Sequence, residues 1–498
     1  MKTFNKKTAL IAASVLYSAQ GHAGMADLAG TFSTELERKS ALAVLDTYND
    51  LIQNAGCVDS GRVLLGTNLE STNLTQLAAA VPTEGANGKC TGQTYQLFTN
   101  VRALIHTANE ITEDGNSQYS LHIDATALGK ALRWDAGEEY SAQGSLASDY
   151  LRGQVSSLSS RLSALRLGAQ GFRLQASNSD GITGGGAGDA GENFSKWGGF
   201  INYASGDGTK APTDLEDAFD FDGKQFNAGV DYRVNNEWIV GGLVSHISQH
   251  VDFDSSKSVV SGNVDSTGYS FFPFAMYQLE HFYISTSVGY QKLKFDSSRA
   301  IKYQSFNPNV PSVDTASTAA TDATNTSFFF GTGYNFSHQN LSFEPFFNFN
   351  ALQTKIDGFT EKDINDSAFD LAVANQKINS HNSTLGATLR YTFTPSFGVL
   401  TPFATYEFVN QSQNKYSIAA HYANAASAVN VFGVPTDSID KNYTVATVGL
   451  SSVLIGAHEK TGDGIVAGGV QAFVQYKKIQ NLRDYDVDMI EVGVRYEF

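Results

Sequence analysis

The amino-acid sequence predicts a mainly β protein: a 12-stranded antiparallel transmembrane β-barrel preceded by a small, mostly helical N-terminal domain. Three observations carry that expectation. From about Ser195 onward, apolar and polar side chains alternate with period two, which on a strand sends them to opposite faces. The apolar sides end in aromatics such as Trp197, Tyr203, Trp238, Tyr277, Tyr406, Tyr476 and Tyr496, as lipid–water interfaces favour. The chain is rich in aromatics, with 33 Phe and 22 Tyr in 498 residues, yet its mean hydropathy is slightly negative. Helical membrane spans would show as long apolar runs, whereas a barrel averages its two faces.

The elements follow in order. Lys2, Lys6 and Lys7, the short apolar run Ala9 to Leu16 and the small-x-small site Gly21-His22-Ala23 read as a secretory signal peptide over residues 1–23. No later stretch has the ~18 uninterrupted apolar residues of a membrane helix. The net charge of −16 and the lack of a basic cluster exclude nucleic acid as a partner.

Residues 24–145 read as a small helical domain. One helix is expected from Glu35 to Gln53, capped by Thr34 and ended by Asn54-Ala55-Gly56. A second is expected from Thr94 to Ile111. The only two cysteines, Cys57 and Cys90, lie between them, and an isolated pair in an oxidising compartment bonds. That bridge would close a loop of about 34 residues and contribute roughly 3–4 kcal/mol.

Residues 146–176 read as one amphipathic helix. Val155, Leu158, Leu162, Leu165, Ala169 and Phe172 share a face, and Arg152, Arg161, Arg166 and Arg173 lie on others. Residues 177–194 are a polar, glycine-rich linker.

Residues 195–498 hold twelve candidate strands, centred near 200, 229, 244, 272, 288, 331, 347, 386, 404, 448, 472 and 492. Ile490, Val492, Val494, Tyr496 and Phe498 form one side of the last strand, and Glu491, Gly493, Arg495 and Glu497 the other. The opposite sides carry Gly, Ser, Asn, Gln and charges, which suit a wet lumen and would ruin a sandwich core. Long connections at 206–224, 296–322, 358–376 and 411–440, with shorter ones near 253–261 and 479–485, alternate with tight turns. The turns are Asn235-Asn236, Glu280-His281, Ser337 to Asn340, Pro395-Ser396 and Thr461 to Gly464. Short periplasmic turns, long external loops and an even strand count put both barrel termini at the periplasm.

On these residues the sequence resembles the autotransporter family over roughly 131–498. Ala131-Leu132-Arg133, Glu138-Glu139-Tyr140 and Gln143-Gly144-Ser145 are similar to the segment before the barrel in many members. Arg161-Leu162-Ser163-Ala164-Leu165-Arg166 resembles the family's pore helix. Tyr496-Glu497-Phe498 is similar to the signal read by the barrel-assembly machinery. The resemblance implies a monomeric barrel in outer-membrane lipid, a pore-spanning helix as plug, and an N-terminal passenger displayed at the cell surface. A twelve-stranded lumen is wide enough for one helix about 10–12 Å across. Arg161 and Arg166 are then expected to face lumen acids among Glu344, Glu407, Glu491 and Glu497. Ser156 and Ser157 stand where self-cleaving members carry two asparagines, so the passenger is expected to stay attached.

No catalytic, cofactor or metal set is recognisable. Asp59-Ser60-Gly61 reads as a turn, and a serine nucleophile there would need a base for which only His106 and His122 are available. Asp135, Glu138 and Glu139 read as first-turn charges on the following helix. The expected function is display of the short passenger, with adhesion to a surface ligand as its use. The alternative is an outer-membrane channel plugged by its N-terminal region, and a third reading is a surface hydrolase.

Overall fold

The computed structural model describes residues 23–59, 89–112, 118–144, 146, 197–235, 237–279, 281–395, 398–414, 417–425, 432–438, 440–454 and 470–497. The signal segment 1–22, Ser60, residues 147–196 with the pore-helix residues Arg161 and Arg166, and Phe498 lie outside the described residues.

The helical unit comprises α1 (Ala23–Ala29), α2 (Glu35–Gln53), α3 (Gly92–Ile111), α4 (Ala125–Asp135) and a 3-10 turn (Glu138–Tyr140). α2 begins and ends as its sequence predicts. Thr34 Oγ1 accepts from the Glu37 amide at 3.1 Å while Glu37 Oε2 accepts from the Thr34 amide at 3.1 Å, which satisfies two orphan donors at once. Asn54 caps it, and Gly56 turns the chain away at φ 71°. Leu36, Val44, Tyr48 and Leu51 of α2 pack on Leu97, Phe98, Val101 and Leu104 of α3 in one buried core. Cys57, just past α2, is bonded to Cys90, just before α3, across a Cα–Cα distance of 5.2 Å.

The barrel strands are β1 (Trp197–Lys210), β2 (Phe219–Arg233), β3 (Trp238–Phe253), β4 (Gly262–Gln278), β5 (Phe282–Tyr303), β6 (Val313–Tyr334), β7 (Leu341–Ile356), β8 (Gln376–Tyr391), β9 (Gly398–Gln413), β10 (Asn442–Leu454), β11 (Val470–Gln480) and β12 (Tyr485–Glu497). Each pairs antiparallel with its neighbour, and β12 pairs with β1 from Gly198↔Glu497 to Lys210↔Tyr485, closing the sheet. Closure leaves no unpaired edge in hydrocarbon. The outward face is apolar: Val230, Val244, Phe271, Val288, Leu385, Val448, Ile490 and Val492 are all more than a third exposed. Aromatic pairs ring the tight-turn end, with Trp197 on Tyr232 at 4.7 Å, Trp238 on Tyr277 at 5.0 Å and Tyr391 on Phe393 at 4.7 Å. No described helix is long and apolar enough to cross a membrane.

Two expectations need correction. First, the loops are shorter than the sequence suggests. The stretch 296–322 is mostly strand, since β5 runs to Tyr303 and β6 starts at Val313, and 206–224 reduces to the connection 211–218. The reason is that the alternation inverts along each strand. Below, β5 turns Val288 and Tyr290 outward; above, it turns Leu293, Phe295 and Ile301 inward and Lys292, Lys294 and Asp296 outward. β3 does the same, from outward Val244 to inward Ile247, Val251 and Phe253. There the wall has water outside and packed protein inside. The longest loops add a four-stranded sheet of Phe359–Thr360, Leu371–Val373, Ser417–Tyr422 and Phe432–Pro435.

Second, the lumen wall is not polar all round. Phe200, Ile239, Leu243, Phe272, Phe274, Met276, Phe329 and Leu352 form an inward apolar cluster. Inward phenylalanines lie over a glycine of the adjacent strand. Phe346 is opposite Gly386, Phe274 opposite Gly241 and Phe473 opposite Gly493. A Cβ at these glycines would fall 2.4, 2.3 and 2.3 Å from the ring. Glycine is required there by close approach.

Candidate functional site

The helical unit sits on the long-loop mouth of the barrel, and one hydrophobic core runs from Leu51 and Leu104 through Trp134 and Tyr140 to Phe219, Phe253, Phe295 and Phe369. Its seat is the segment from α4 through Leu146. Asp124 caps α4 by accepting from the Ala127 amide at 2.8 Å. Gly137, at φ 68°, then turns the chain into the 3-10 turn; a Cβ there would also meet Leu371 at 2.9 Å.

Two buried arginines lock this segment. Arg299 of β5 donates to both carboxylate oxygens of Glu361, Nη2 to Oε2 at 2.6 Å and Nε to Oε1 at 2.8 Å. It also donates from Nη1 to the Trp134 carbonyl at 2.8 Å and from Nη2 to the Phe369 carbonyl at 3.1 Å. A cation at the last turn of α4 also complements the helix dipole. Glu361 is completed by the Leu371 amide at 2.7 Å and the Tyr140 hydroxyl. Arg133 of α4 donates to Glu138 at 2.9 Å from Nη2 and 3.2 Å from Nε, and lies 3.4 Å from Asp217. Asp217 in turn accepts from the amides of Val259 and Val260 at 2.8 and 2.6 Å. The Tyr422 hydroxyl donates to Asp135 at 3.2 Å. Burial pushes the Asp135 carboxyl up to about 7, although Arg299 and Tyr422 pull it back. Burial likewise holds Glu139 well above the usual carboxylate range, against the pull of Arg299.

Glu138 and Glu139 do stand in a first turn, as expected, but Asp135 does not, and all three are buried. Asp135 ends α4, and the two glutamates are buried where the helical unit meets the barrel. The motif residues Arg133, Glu138, Tyr140 and Gln143 are all buried at this seat. Two loops add direct ties to the helical unit. Asn307 Nδ2 donates to the Ser120 carbonyl at 2.6 Å, Gln93 Nε2 to the Asp366 carbonyl at 2.8 Å, and Asn100 Nδ2 to the Ser367 carbonyl at 2.7 Å.

Deeper in the lumen, charged side chains of β2, β7, β8, β11 and β12 pair with one another. Arg390 donates to Glu344 at 2.9 Å and Arg495 to Asp231 at 2.6 Å. Lys477 lies 3.4 Å from Glu491, which also accepts from Asn202 at 2.7 Å and Gln475 at 2.6 Å. Glu344 and Glu491 thus each face a cation of the barrel itself. Tyr496, of the expected assembly signal, faces outward at 49% exposure.

Within the helical unit, His106 Nε2 is 2.6 Å from Asp59 Oδ2, and the Tyr48 hydroxyl donates to the same oxygen at 2.5 Å. Sequence reasoning missed this pair because its members stand 47 positions apart. Burial pushes the Asp59 carboxyl up, but His106, Tyr48 and Arg102 outweigh it and hold it below its ordinary value. His122 pairs with Glu110 at 2.9 Å on the surface. No cluster of His, Cys, Asp and Glu able to hold a metal occurs among the described residues.

A closed twelve-stranded sheet with an apolar outer face, a partly charged lumen and a capped mouth defines an outer-membrane β-barrel. The family model described as autotransporter beta-domain matches residues 199–457, more than half of the chain, and the chain belongs to that family. The translocator domain of the autotransporter NalP from Neisseria meningitidis is similar at a TM-score of 0.47 and 15% identity, over 71% of this chain and 99% of that one. The β-domain of the Bordetella autotransporter Brka gives 0.40 and 12%, over 61% and 100%. The transport unit of the autotransporter AIDA-I from Escherichia coli gives 0.36 and 10%, over 66% and 98%. No curated protein sequence matches significantly.

Proposed function

We propose that this autotransporter, exported by its signal segment, holds its own N-terminal helical unit as a docked cap at the cell surface, with a helix from 146–176 running through the lumen. The carrying observation is topological. Leu146 is buried at the long-loop mouth, whereas β1 starts at Trp197 on the tight-turn end. The wall between them is closed. A connection outside the wall would drag the polar, glycine-rich residues 177–194 through hydrocarbon at several kcal/mol per unpaired backbone group. The lumen is the inexpensive route. The mixed lining supports the same reading: the apolar face of Leu158, Leu162 and Leu165 suits inward apolar residues such as Leu243 and Phe272. Arg161 and Arg166 are then placed to meet lumen acids such as Glu344 or Glu491.

Family membership puts the barrel in the outer membrane, and the long loops of bacterial barrels face outward, which supports a cap on the outer side. Adhesion is the use we assign to the displayed unit. Protease shaving of intact cells is the test: the helical unit is expected to be cut while the barrel fragment survives. Full protection, with the unit cut only in broken cells, would overturn display.

The capped mouth also favours a plugged channel as a second reading. Intact protein in planar bilayers should conduct poorly and should conduct strongly once residues 24–175 are deleted. Stable high conductance by the intact protein would instead make it a channel. The Asp59–His106 pair keeps a hydrolase measurable: activity would have to vanish in both Ser60→Ala and His106→Ala.

A further inference from the structure

The outer wall of β5 to β8 carries a row of lysines that form no ion pair among the described residues. Register sets Lys292 of β5 opposite Thr324 of β6, Thr324 opposite Lys355 of β7, and Lys355 opposite Lys377 of β8. All three lysines are exposed. They share the face that, lower on the same strands, presents Val288, Phe328, Phe347 and Leu385 to lipid. With strands about 4.8 Å apart, the row is about 14 Å wide.

Like charges directly opposite each other destabilise a strand pair, yet Lys355 faces Lys377 in a chain of net charge −16. Several other outward lysines near the loop end sit on carboxylates. Lys294 is 2.8 Å from Asp296, Lys302 is 3.5 Å from Asp314, Lys478 is 2.6 Å from Asp486, and Lys257 pairs with Asp220. Lys292, Lys355 and Lys377 make no ion pair among the described residues. The nearest acids in register, Asp322 and Asp357, lie on the far side of the row from the apolar belt, and Asp322 is opposite Lys294. Between row and belt runs a hydrogen-bonding row of Tyr290, Thr326, Gln353 and Asn379.

We propose that this row binds the phosphate-bearing headgroup of an outer-leaflet lipid, whose acyl chains lie on the belt beneath. The ammonium groups act as point charges toward phosphate oxygens, as basic side chains do at anionic lipid surfaces. The proposal rests on the barrel sitting in the outer membrane, and the test separates the two. Full-length protein is placed in phosphatidylcholine nanodiscs containing bisphosphorylated lipid A, and bound lipid is counted by native mass spectrometry. Folded state is read first from heat-modifiable gel mobility; failure of the wild type to insert would count against the membrane reading itself. The triple variant Lys292→Gln/Lys355→Gln/Lys377→Gln is expected to lower occupancy by on the order of tenfold to a hundredfold. Lys224→Gln, a lone outward lysine between Ser205 and Ser248, should leave occupancy unchanged. If the triple variant does not fold, Lys355→Gln alone should still lower occupancy severalfold. Equal occupancy in wild type and variant, equal retention of dephosphorylated lipid, or displacement by millimolar inorganic phosphate would each overturn the lipid assignment.

Discussion

Arg299 and Glu361 join the barrel wall to the loop that receives the helical unit, through two charge-assisted hydrogen bonds of 2.6 and 2.8 Å between side chains that are no more than 1% exposed. Removing one partner of such a pair leaves the other charged and buried, which costs about 3–5 kcal/mol. We predict that Arg299→Ala releases the cap while the barrel stays closed, because no strand-to-strand hydrogen bond depends on it. Hydrogen exchange should show α4 losing protection with β1 to β12 unchanged. Glu361→Gln should cost less, since its remaining oxygen can still accept from Arg299. Unchanged exchange at α4 in Arg299→Ala would show that apolar packing alone holds the cap.

The pH dependence of docking runs opposite to that of an ordinary salt bridge. Asp135 is pushed up to about 7 in the docked state by burial, against an ordinary carboxyl value near 4 when the segment is exposed. The docked state therefore binds more protons than the undocked one, and docking weakens as pH rises from about 4 through about 7, then levels off. Glu139, raised by the same burial, acts in the same direction. The full swing from Asp135 alone is at most about 4 kcal/mol. Exchange protection of α4, corrected for intrinsic rates, should fall between about pH 5 and pH 8. Asp135→Asn should flatten the slope, and protection that grows with pH would refute the account.

All twelve strands were legible because hydrocarbon sorts side chains with a period of two, and Val288, Leu385 or Ile490 needs no distant partner to be read. The rest depended on distance. Leu293 and Phe295 point inward because a helical unit fills the mouth, so the same strand reverses its pattern and reads as loop. Glu138 reads as a first-turn charge until a seat encloses it, and Arg299 meets Trp134 across 165 residues of sequence. The Asp59–His106 contact is equally silent in sequence. Arg133, Glu138 and Tyr140, in the stretch that resembles the family's pre-barrel segment, are seat residues. A strand whose inward side turns apolar past its last outward aromatic is the signal that could have revealed the occupied mouth.

The glycine–phenylalanine pairs of the lumen wall make a packing prediction. A side chain at Gly386 would meet Phe346 at 2.4 Å from its first carbon. Gly386→Val should cost about 1–3 kcal/mol by overpacking and lower the yield of folded barrel on heat-modifiable gels. Adding Phe346→Ala removes the obstructing ring and should restore yield. If the second change lowers yield further, the ring contributes more by its own packing than it takes from the glycine.

The Cys57–Cys90 bridge should matter to the helical unit and not to the barrel. It spans a separation of 33 residues, worth about 3–4 kcal/mol of loop-closure entropy, and it ties the exit of α2 to the entry of α3. Competing ties exist, since Gln93 and Asn100 of α3 donate to the loop carbonyls of Asp366 and Ser367. Such exposed or half-buried hydrogen bonds contribute about 1 kcal/mol each, so the bridge should dominate. Replacing both cysteines by serine is therefore predicted to lower the melting of the helical unit by roughly 10–30 °C. The barrel, whose closure rests on β1–β12 pairing, should keep its gel mobility. Melting that is the same with and without reductant would mean that docking on the mouth, rather than the cross-link, holds α2 against α3.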